Sequence, residues 1–112
     1  MRYALLVCID EDTRQGADVQ RTSAEFMGFQ DEMEARGVLV SLERLQPSSL
    51  STTVHVRDEG LVVADGPFAE TKEQIAGFYV IDCEDLDEAI EIASRNPGAR
   101  YGTIEVRPVW EI

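Results

Sequence analysis

The sequence has few of the residue types from which metal and cofactor sites are built. Its 112 residues include one histidine, His55, and two cysteines, Cys8 and Cys83. The cysteines lie far apart in apolar segments and match no zinc-binding spacing, so we predict two free core thiols and no disulfide. The sequence contains no G-x-G-x-x-G, P-loop, C-x-x-C, H-E-x-x-H or nucleophile-elbow motif. It therefore implies no metal and no nicotinamide, flavin or ATP cofactor.

Long apolar runs and an excess of basic charge are also missing. The longest apolar run, residues 3–9, is far shorter than the roughly 18–20 residues of a membrane span, and acidic residues follow it where a signal peptide would have a cleavage site. The net charge is −12, with 22 acidic and 10 basic residues, and a field of that sign repels phosphate backbones and anionic membranes. We expect one cytoplasmic domain spanning residues 1–112, with no nucleic-acid or membrane partner.

Hydrophobic periodicity predicts a β-α-β unit, a β-hairpin and a second β-α-β unit. The strands are predicted at residues 2–9, 38–45, 52–57, 61–64, 75–82 and 103–109, and the helices at about 18–36 and 86–95. Residues 69–74 are polar and are predicted to form one helical turn.

The ends of the first helix are marked by capping residues. Thr22 and Glu25 have the spacing of a capping box, and Asp18 is a competing start. Gly37 supplies a left-handed stop. The apolar stripe of this helix is predicted at Phe26, Phe29 and Met33.

The second helix has a similar pattern. Asp85 is the predicted N-cap, with Glu88 three residues later, and residues 96–98 (Asn-Pro-Gly) end the helix. Its apolar stripe is predicted at Leu86, Ala89, Ile90 and Ala93.

This order of elements predicts an α+β fold, a ferredoxin-like split β-α-β sandwich with an inserted β-hairpin. Two helices cover only one face of its sheet, yet residues 4–9 and 78–81 are apolar on both faces. The uncovered face would be an exposed apolar patch of several hundred Å², which monomers rarely tolerate. We therefore expect a homodimer in which two sheets meet to form an α+β barrel.

The segment Asp65-Gly66-Pro67-Phe68-Ala69-Glu70-Thr71-Lys72-Glu73 is distinctive. Together with residues 77–82, 85–89 and 102–108, it resembles the signature of the YCII-related family and of its DGPF subgroup. The resemblance covers nearly the whole chain and is strongest over residues 52–109. It implies a ferredoxin-like fold that forms a dimeric α+β barrel.

The resemblance implies less about chemistry, because the family is mostly unassigned. Some relatives are thought to be enzymes with a His–Asp pair, one branch of which removes chloride from hydroxylated aromatics. Some DGPF members are encoded beside, or fused to, sigma factors of the extracytoplasmic-function type, which implies a link to transcriptional regulation. The histidine of the enzyme-like branch falls at Phe26 in this sequence, so the His–Asp chemistry does not carry over.

The signature segment has two interpretations. In the structural one, Gly66 and Pro67 form a tight turn, Asp65 accepts hydrogen bonds from nearby backbone N–H groups, Phe68 fills the core and Lys72 pairs with a neighbouring carboxylate.

In the functional interpretation, the turn lies at the mouth of a cleft. Asp65, Glu70 and Glu73 are carboxylates close together in sequence, and a carboxylate in a partly apolar cleft can act as a general acid or base. Thr71 would donate a hydrogen bond to a ligand, and Lys72 or Arg107 would hold an anionic group.

His55 and Trp110 are the remaining candidates. His55 shares a strand face with Arg57, opposite Val54 and Val56, so it either is exposed or lines a cleft as a general base. Trp110 either seals the dimer edge or packs locally.

Two functions are compatible with these observations. The first is a small-molecule-binding or regulatory homodimer. The second is a cofactor-independent lyase or isomerase that uses a carboxylate in the dimer cleft. We favour the first, because the single histidine lies on a different element from that of the enzyme-like branch.

Overall fold

A computed structural model describes residues 1–14 and 19–111 of the chain. The strands are β1 (Arg2–Asp10), β2 (Leu39–Arg44), β3 (Thr52–Arg57), β4 (Gly60–Asp65), β5 (Glu73–Asp82) and β6 (Gly102–Pro108), and the helices are α1 (Val19–Arg36), α2 (Leu86–Arg95) and α3 (Gly98–Tyr101). Short 3-10 turns cover Glu11–Arg14 and Ser48–Leu50. Over the described ranges, every helix is too short or too polar to cross a membrane.

The strands form one four-stranded antiparallel sheet and one separate hairpin. The sheet has the order β2-β5-β1-β6, which is the order that two split β-α-β units produce. Among the described strands, β3 and β4 pair only with each other, and we call this unit, residues 52–65, the hairpin arm. The predicted α+β, ferredoxin-like fold with an inserted hairpin is therefore confirmed.

The described helices all lie against the same face of the sheet. Phe29 of α1 meets the ring of Tyr79 on β5 edge-on, with the ring centroids 5.2 Å apart. Gly98 of α3 lies so close to the Val7 side chain that an added Cβ would be 2.7 Å from it. The core on this face consists of Tyr3, Leu5, Val7, Ile9, Phe29, Met33, Ala76, Tyr79, Ile81, Cys83, Ala89, Ile92 and Ala93.

The other face of the sheet carries apolar residues but, among the described elements, no helix. Leu6 pairs with Phe78 across β1 and β5, and both side chains are half-buried. The apolar residues of this surface, which we call the open face, are Ala4, Leu6, Cys8, Ile75, Phe78 and Val80. The two-sided apolar character predicted for the central strands is therefore present.

The two cysteines are free and lie in different places. Cys83 belongs to the core as predicted, whereas the prediction for Cys8 is wrong because its strand position places it on the open face. Burial is the main cause that raises the pKa of both thiols.

Helix α1 begins earlier than the predicted capping box. It is already helical at Val19, so Thr22 is not its N-cap, and the alternative start Asp18 lies outside the described residues. Glu25, which the capping box requires, instead accepts hydrogen bonds from Arg100 and Tyr101. The stop is confirmed, since Gly37 has a φ of 73°.

Helix α2 is capped as predicted but buries a different stripe. The Asp85 carboxylate accepts a hydrogen bond of 2.9 Å from the Glu88 backbone N–H. Leu86 and Ile90 are about half exposed, and Ile92 is buried in their place. An α-helix turns about 100° per residue, so Ile90 is roughly a quarter-turn away from the buried Ala89.

Glu25 links α1 to α3 and gives a prediction about acid stability. The Tyr101 hydroxyl, followed by Arg100 and Arg21, lowers the pKa of Glu25 by hydrogen bonding. A carboxyl with a lowered folded-state pKa stabilises the fold above its unfolded-state pKa, and this contribution is lost as the pH falls through the lowered value. We expect Glu25→Gln to reduce the free energy of unfolding near neutral pH and to have no effect in strong acid.

Urea titrations at neutral and acidic pH measure this difference. Asp31→Asn removes another exposed carboxylate from the same helix while leaving the hydrogen bonds from Arg100 and Tyr101 to Glu25 in place, and it serves as the matched control. If Glu25→Gln were equally destabilising at both pH values, the effect would come from packing and not from the charge.

Candidate functional site

The signature segment forms a loop that is fastened to the base of the hairpin arm. Gly66 has a φ of 97°, a left-handed conformation that favours glycine. Its N–H donates to the Ser51 carbonyl at 2.7 Å, and its carbonyl accepts from the Thr53 hydroxyl at 2.7 Å. These contacts support a structural role for the turn. We call residues 65–72 the signature loop.

Phe68 does not fill the core. Its side chain is 92% exposed, so that prediction is wrong. Among the described residues, the core contains no residue of the signature loop. Trp110 is 83% exposed, which also contradicts local packing for that side chain.

The second half of the loop is held by side chains rather than by a helix. The predicted helical turn at residues 69–74 is wrong, because β5 already begins at Glu73. The Gln74 side-chain amide donates to the Ala69 carbonyl at 2.9 Å and to the Thr71 carbonyl at 3.1 Å. These hydrogen bonds satisfy the backbone in place of helical ones.

Two open clefts border the signature loop, one on each side of Pro67 and Thr71. The first, which we call the polar cleft, has a volume of about 490 Å³. It is lined by Asp10, Glu11, Asp12, Ser48, Ser49, Gly66, Pro67, Glu70, Thr71, Lys72 and Gln74. Glu11 fixes one wall, because its carboxylate accepts from the Ser48 N–H at 2.7 Å and from the Ser48 hydroxyl at 2.8 Å.

The second cleft, which we call the apolar groove, has a volume of about 540 Å³. Four exposed apolar side chains dominate it: Leu45, Leu50, Phe68 and Ile75. Ile75 also belongs to the open face, since it pairs with Cys8. The groove is therefore continuous with the uncovered side of the sheet.

Comparisons with known proteins match the chain to a family model and to a curated relative. The family model of the YCII-related domain matches residues 1–112. The chain belongs to the YCII-related family. An uncharacterised protein of Rhizobium meliloti (strain 1021) is 37% identical to it over an alignment of 114 positions that covers 97% of this chain and 92% of that protein. Because that relative is uncharacterised, it brings no activity to this YCII-related chain.

Three of the predicted site residues come together at the polar cleft of this YCII-related chain. Glu70, Thr71 and Lys72 all line it. The Thr71 hydroxyl, however, donates to the Glu73 carbonyl at 2.6 Å, which occupies its only proton. The Thr71 hydroxyl oxygen in turn accepts from the Gln74 side-chain amide at 3.2 Å, so Thr71 is not placed to donate to a ligand as predicted. The Glu73 carboxylate is also engaged, because it accepts from the Thr103 hydroxyl at 2.9 Å.

The two predicted catalytic residues lie elsewhere and apart from each other. In the hairpin arm His55 pairs with Val62, whereas Asp65 pairs with Thr52. Cross-strand partners share a face and successive residues alternate, so His55 and Asp65 point to opposite faces of the arm. Both are exposed, and neither lines the polar cleft or the apolar groove.

Arg107 lies at the other end of the sheet. It pairs with Ala4, near the start of β1, and forms an ion pair with Glu105. Asp10, which lines the polar cleft, is the last residue of β1. At about 3.3 Å per residue, these two ends of β1 are roughly 20 Å apart. Within one chain, Arg107 and Lys72 therefore do not form one anion site.

The structure adds site residues that the sequence analysis did not select. Asp10 and Asp12 line the polar cleft, and the Asp12 N–H donates to the Asp10 carboxylate at 3.0 Å. The acidic run at the end of β1 could have identified them in the sequence, because residues at the end of a strand lie at the edge of the sheet. Within the described residues, no group of three His, Cys, Asp or Glu side chains is arranged to hold a metal ion.

Proposed function

We propose that this YCII-related protein is a cytoplasmic homodimer of the DGPF subgroup that binds a small molecule in the polar cleft and serves a regulatory role. The observation that carries the proposal is the signature loop itself. Residues 66–72 of this loop each border one or both clefts, and none of them belongs to the core formed by the described residues. A sequence segment that is not needed to fill the core is available for recognition.

The open face supports the homodimer. Leu6, Phe78 and Val80 lie at its centre, between the more polar strands β2 and β6. An apolar centre with a polar rim is the usual anatomy of a protein interface. A second copy related by two-fold symmetry would cover both open faces at once.

The charges of the polar cleft indicate the chemistry of its ligand. Asp10, Glu11, Asp12 and Glu70 line it together with Lys72, the only lysine of the sequence. Glu11 is engaged by Ser48 and Asp10 accepts from the Asp12 N–H, but the carboxylates of Asp12 and Glu70 alone already outnumber the single ammonium group. This setting favours a ligand with a cationic or hydrogen-bond-donating group over the anionic group that we first assigned to Lys72.

Binding is favoured over catalysis by the positions of the candidate acid and base. A general acid or base must reach the reacting group within hydrogen-bond distance. Asp65 and His55 are exposed on opposite faces of the hairpin arm, and neither borders a cleft. A single chain therefore offers no assembled acid–base pair from these two residues.

Thermal denaturation in the presence of small metabolites tests the proposal. Putrescine and arginine represent cations, and glutamate and citrate represent anions. We expect the cations to stabilise the protein, because a ligand at a hundred times its Kd adds about 2.7 kcal/mol, which raises the Tm by roughly 10 °C in a domain of this size. Glu70→Gln should reduce this shift.

The matched control is Glu59→Gln, which removes the same charge at the tip of the hairpin arm. It separates binding in the polar cleft from general attraction to a chain of net charge −12. Equal shifts in both variants, or stabilisation by the anions alone, would contradict the proposed site.

A further inference from the structure

The hairpin arm carries an apolar face that its own chain leaves exposed. Cross-strand pairing puts Val54 opposite Val63 and Val56 opposite Leu61, so these four side chains share one face. They are 59%, 57%, 68% and 66% exposed, respectively. The arm thus presents a continuous aliphatic surface on one side.

An arm of this kind needs a surface to pack against. An isolated two-stranded hairpin is marginally stable in water, and no arm residue belongs to the core that the described part of the chain forms. The radius of gyration, 15.9 Å, exceeds the roughly 13 Å typical of a compact chain of about this length, as expected for an arm that projects from the body.

The same chain carries a matching surface. Leu45, Leu50, Phe68 and Ile75 in the apolar groove are 41%, 69%, 92% and 47% exposed, respectively. We infer that each copy in the homodimer proposed above lays the apolar face of its hairpin arm into the apolar groove of the other copy. The inference rests on the proposed homodimer and specifies how its subunits interlock.

Reciprocity and area favour a second copy as the occupant. Each chain has both an arm and a groove, so a two-fold arrangement covers two arms and two grooves, whereas an unrelated partner would cover one kind of surface only. Burial of the four arm side chains and the four groove side chains of both copies removes roughly 600–1,100 Å² of surface from water in total. A stable interface needs about 1,200–2,000 Å², so the arms require the adjoining open faces to complete it. Ile75 joins the two surfaces.

The arrangement also connects the dimer to the ligand site. Pro67 and Thr71 border both the apolar groove and the polar cleft. A partner arm bound in the groove would therefore contact the signature loop on the side opposite the polar cleft.

The first test compares two aspartate substitutions on opposite faces of the arm. Val56→Asp charges the apolar face, whereas Val62→Asp makes the same change on the face that carries His55. Sedimentation equilibrium should show that Val56→Asp raises the dimer Kd at least about a hundredfold, because each dimer contains the change twice. Val62→Asp should change the dimer Kd little. Circular dichroism checks that both variants fold.

The second test detects the arm in the partner's groove directly. Cys8 and Cys83 are replaced by alanine, Val56→Cys is made in one preparation and Phe68→Cys in another, and the mixed chains are treated with a short bismaleimide. Cross-linked species containing one chain of each kind are expected. A dimer that forms without this cross-link would overturn the arm exchange and leave the proposed homodimer standing. A chain that is monomeric at micromolar concentration would overturn both.

Discussion

The proposed homodimer is expected to dissociate into folded monomers when Phe78 is replaced by aspartate. Phe78 lies at the centre of the open face, paired with Leu6, and points away from the core. In the dimer the carboxylate of the substituted aspartate would be buried without a partner, which costs about 3–5 kcal/mol at each of the two symmetric positions. A total of at least about 6 kcal/mol raises the Kd by about four orders of magnitude. Sedimentation equilibrium at micromolar concentration measures the change.

Ile90→Asp provides the matched control for Phe78→Asp. Ile90 is also a large aliphatic side chain, about half exposed, but it lies on α2, on the helix side of the sheet. This variant should remain dimeric. If Phe78→Asp stayed dimeric and cooperatively folded, the open face would not be the interface. Phe78→Ala serves as the milder variant and should weaken the dimer without charging the sheet.

The central strands of this fold were predictable because their sequence pattern has one physical cause. Leu5 and Leu6 are both apolar, since one faces the helices and the other the open face. The buried face of a helix was less predictable where apolar residues lie on more than one side of it. In α2, Leu86 and Ile90 are apolar but about half exposed, whereas Ile92 is buried. Periodicity identifies an amphipathic helix, whereas the contact with the sheet decides which apolar residues are buried.

The candidate site was predictable only in part, because its walls come from three separate stretches of the chain. Glu70 and Lys72 belong to the signature segment and were selected from it. Asp10 and Ser48 reach the same cleft from β1 and from the turn before the hairpin arm, and sequence order does not bring them together. The hydrogen bonds from Ser48 to Glu11 that close this wall form only in the folded chain.

Gly102→Ala is expected to be the most destabilising single-methyl change in the sheet. A Cβ at this position would lie 2.1 Å from the Cys8 carbonyl oxygen and 3.1 Å from the Ile9 Cα. Both atoms are backbone atoms of β1, which is paired on both sides and cannot rotate away as a flexible side chain would. Overpacking of this kind costs about 3 kcal/mol or more, which corresponds to a fall in Tm of roughly 10 °C. Thermal and urea denaturation measure it.

Gly28→Ala adds the same methyl group with the opposite expected sign. Gly28 lies within α1, and nothing is found within 4 Å of its hypothetical Cβ. Alanine there should raise the free energy of unfolding by about 0.5–1 kcal/mol, because glycine loses more backbone entropy when it becomes helical. Because both substitutions add one methyl group, a loss at Gly102 together with a gain at Gly28 would show that the loss comes from the surroundings of Gly102 and not from the methyl group itself. If the Gly102→Ala protein melted as the unmodified protein does, β6 would not be held against the Cys8 backbone, and the edge of the sheet that carries Thr103 and Glu105 would be misplaced.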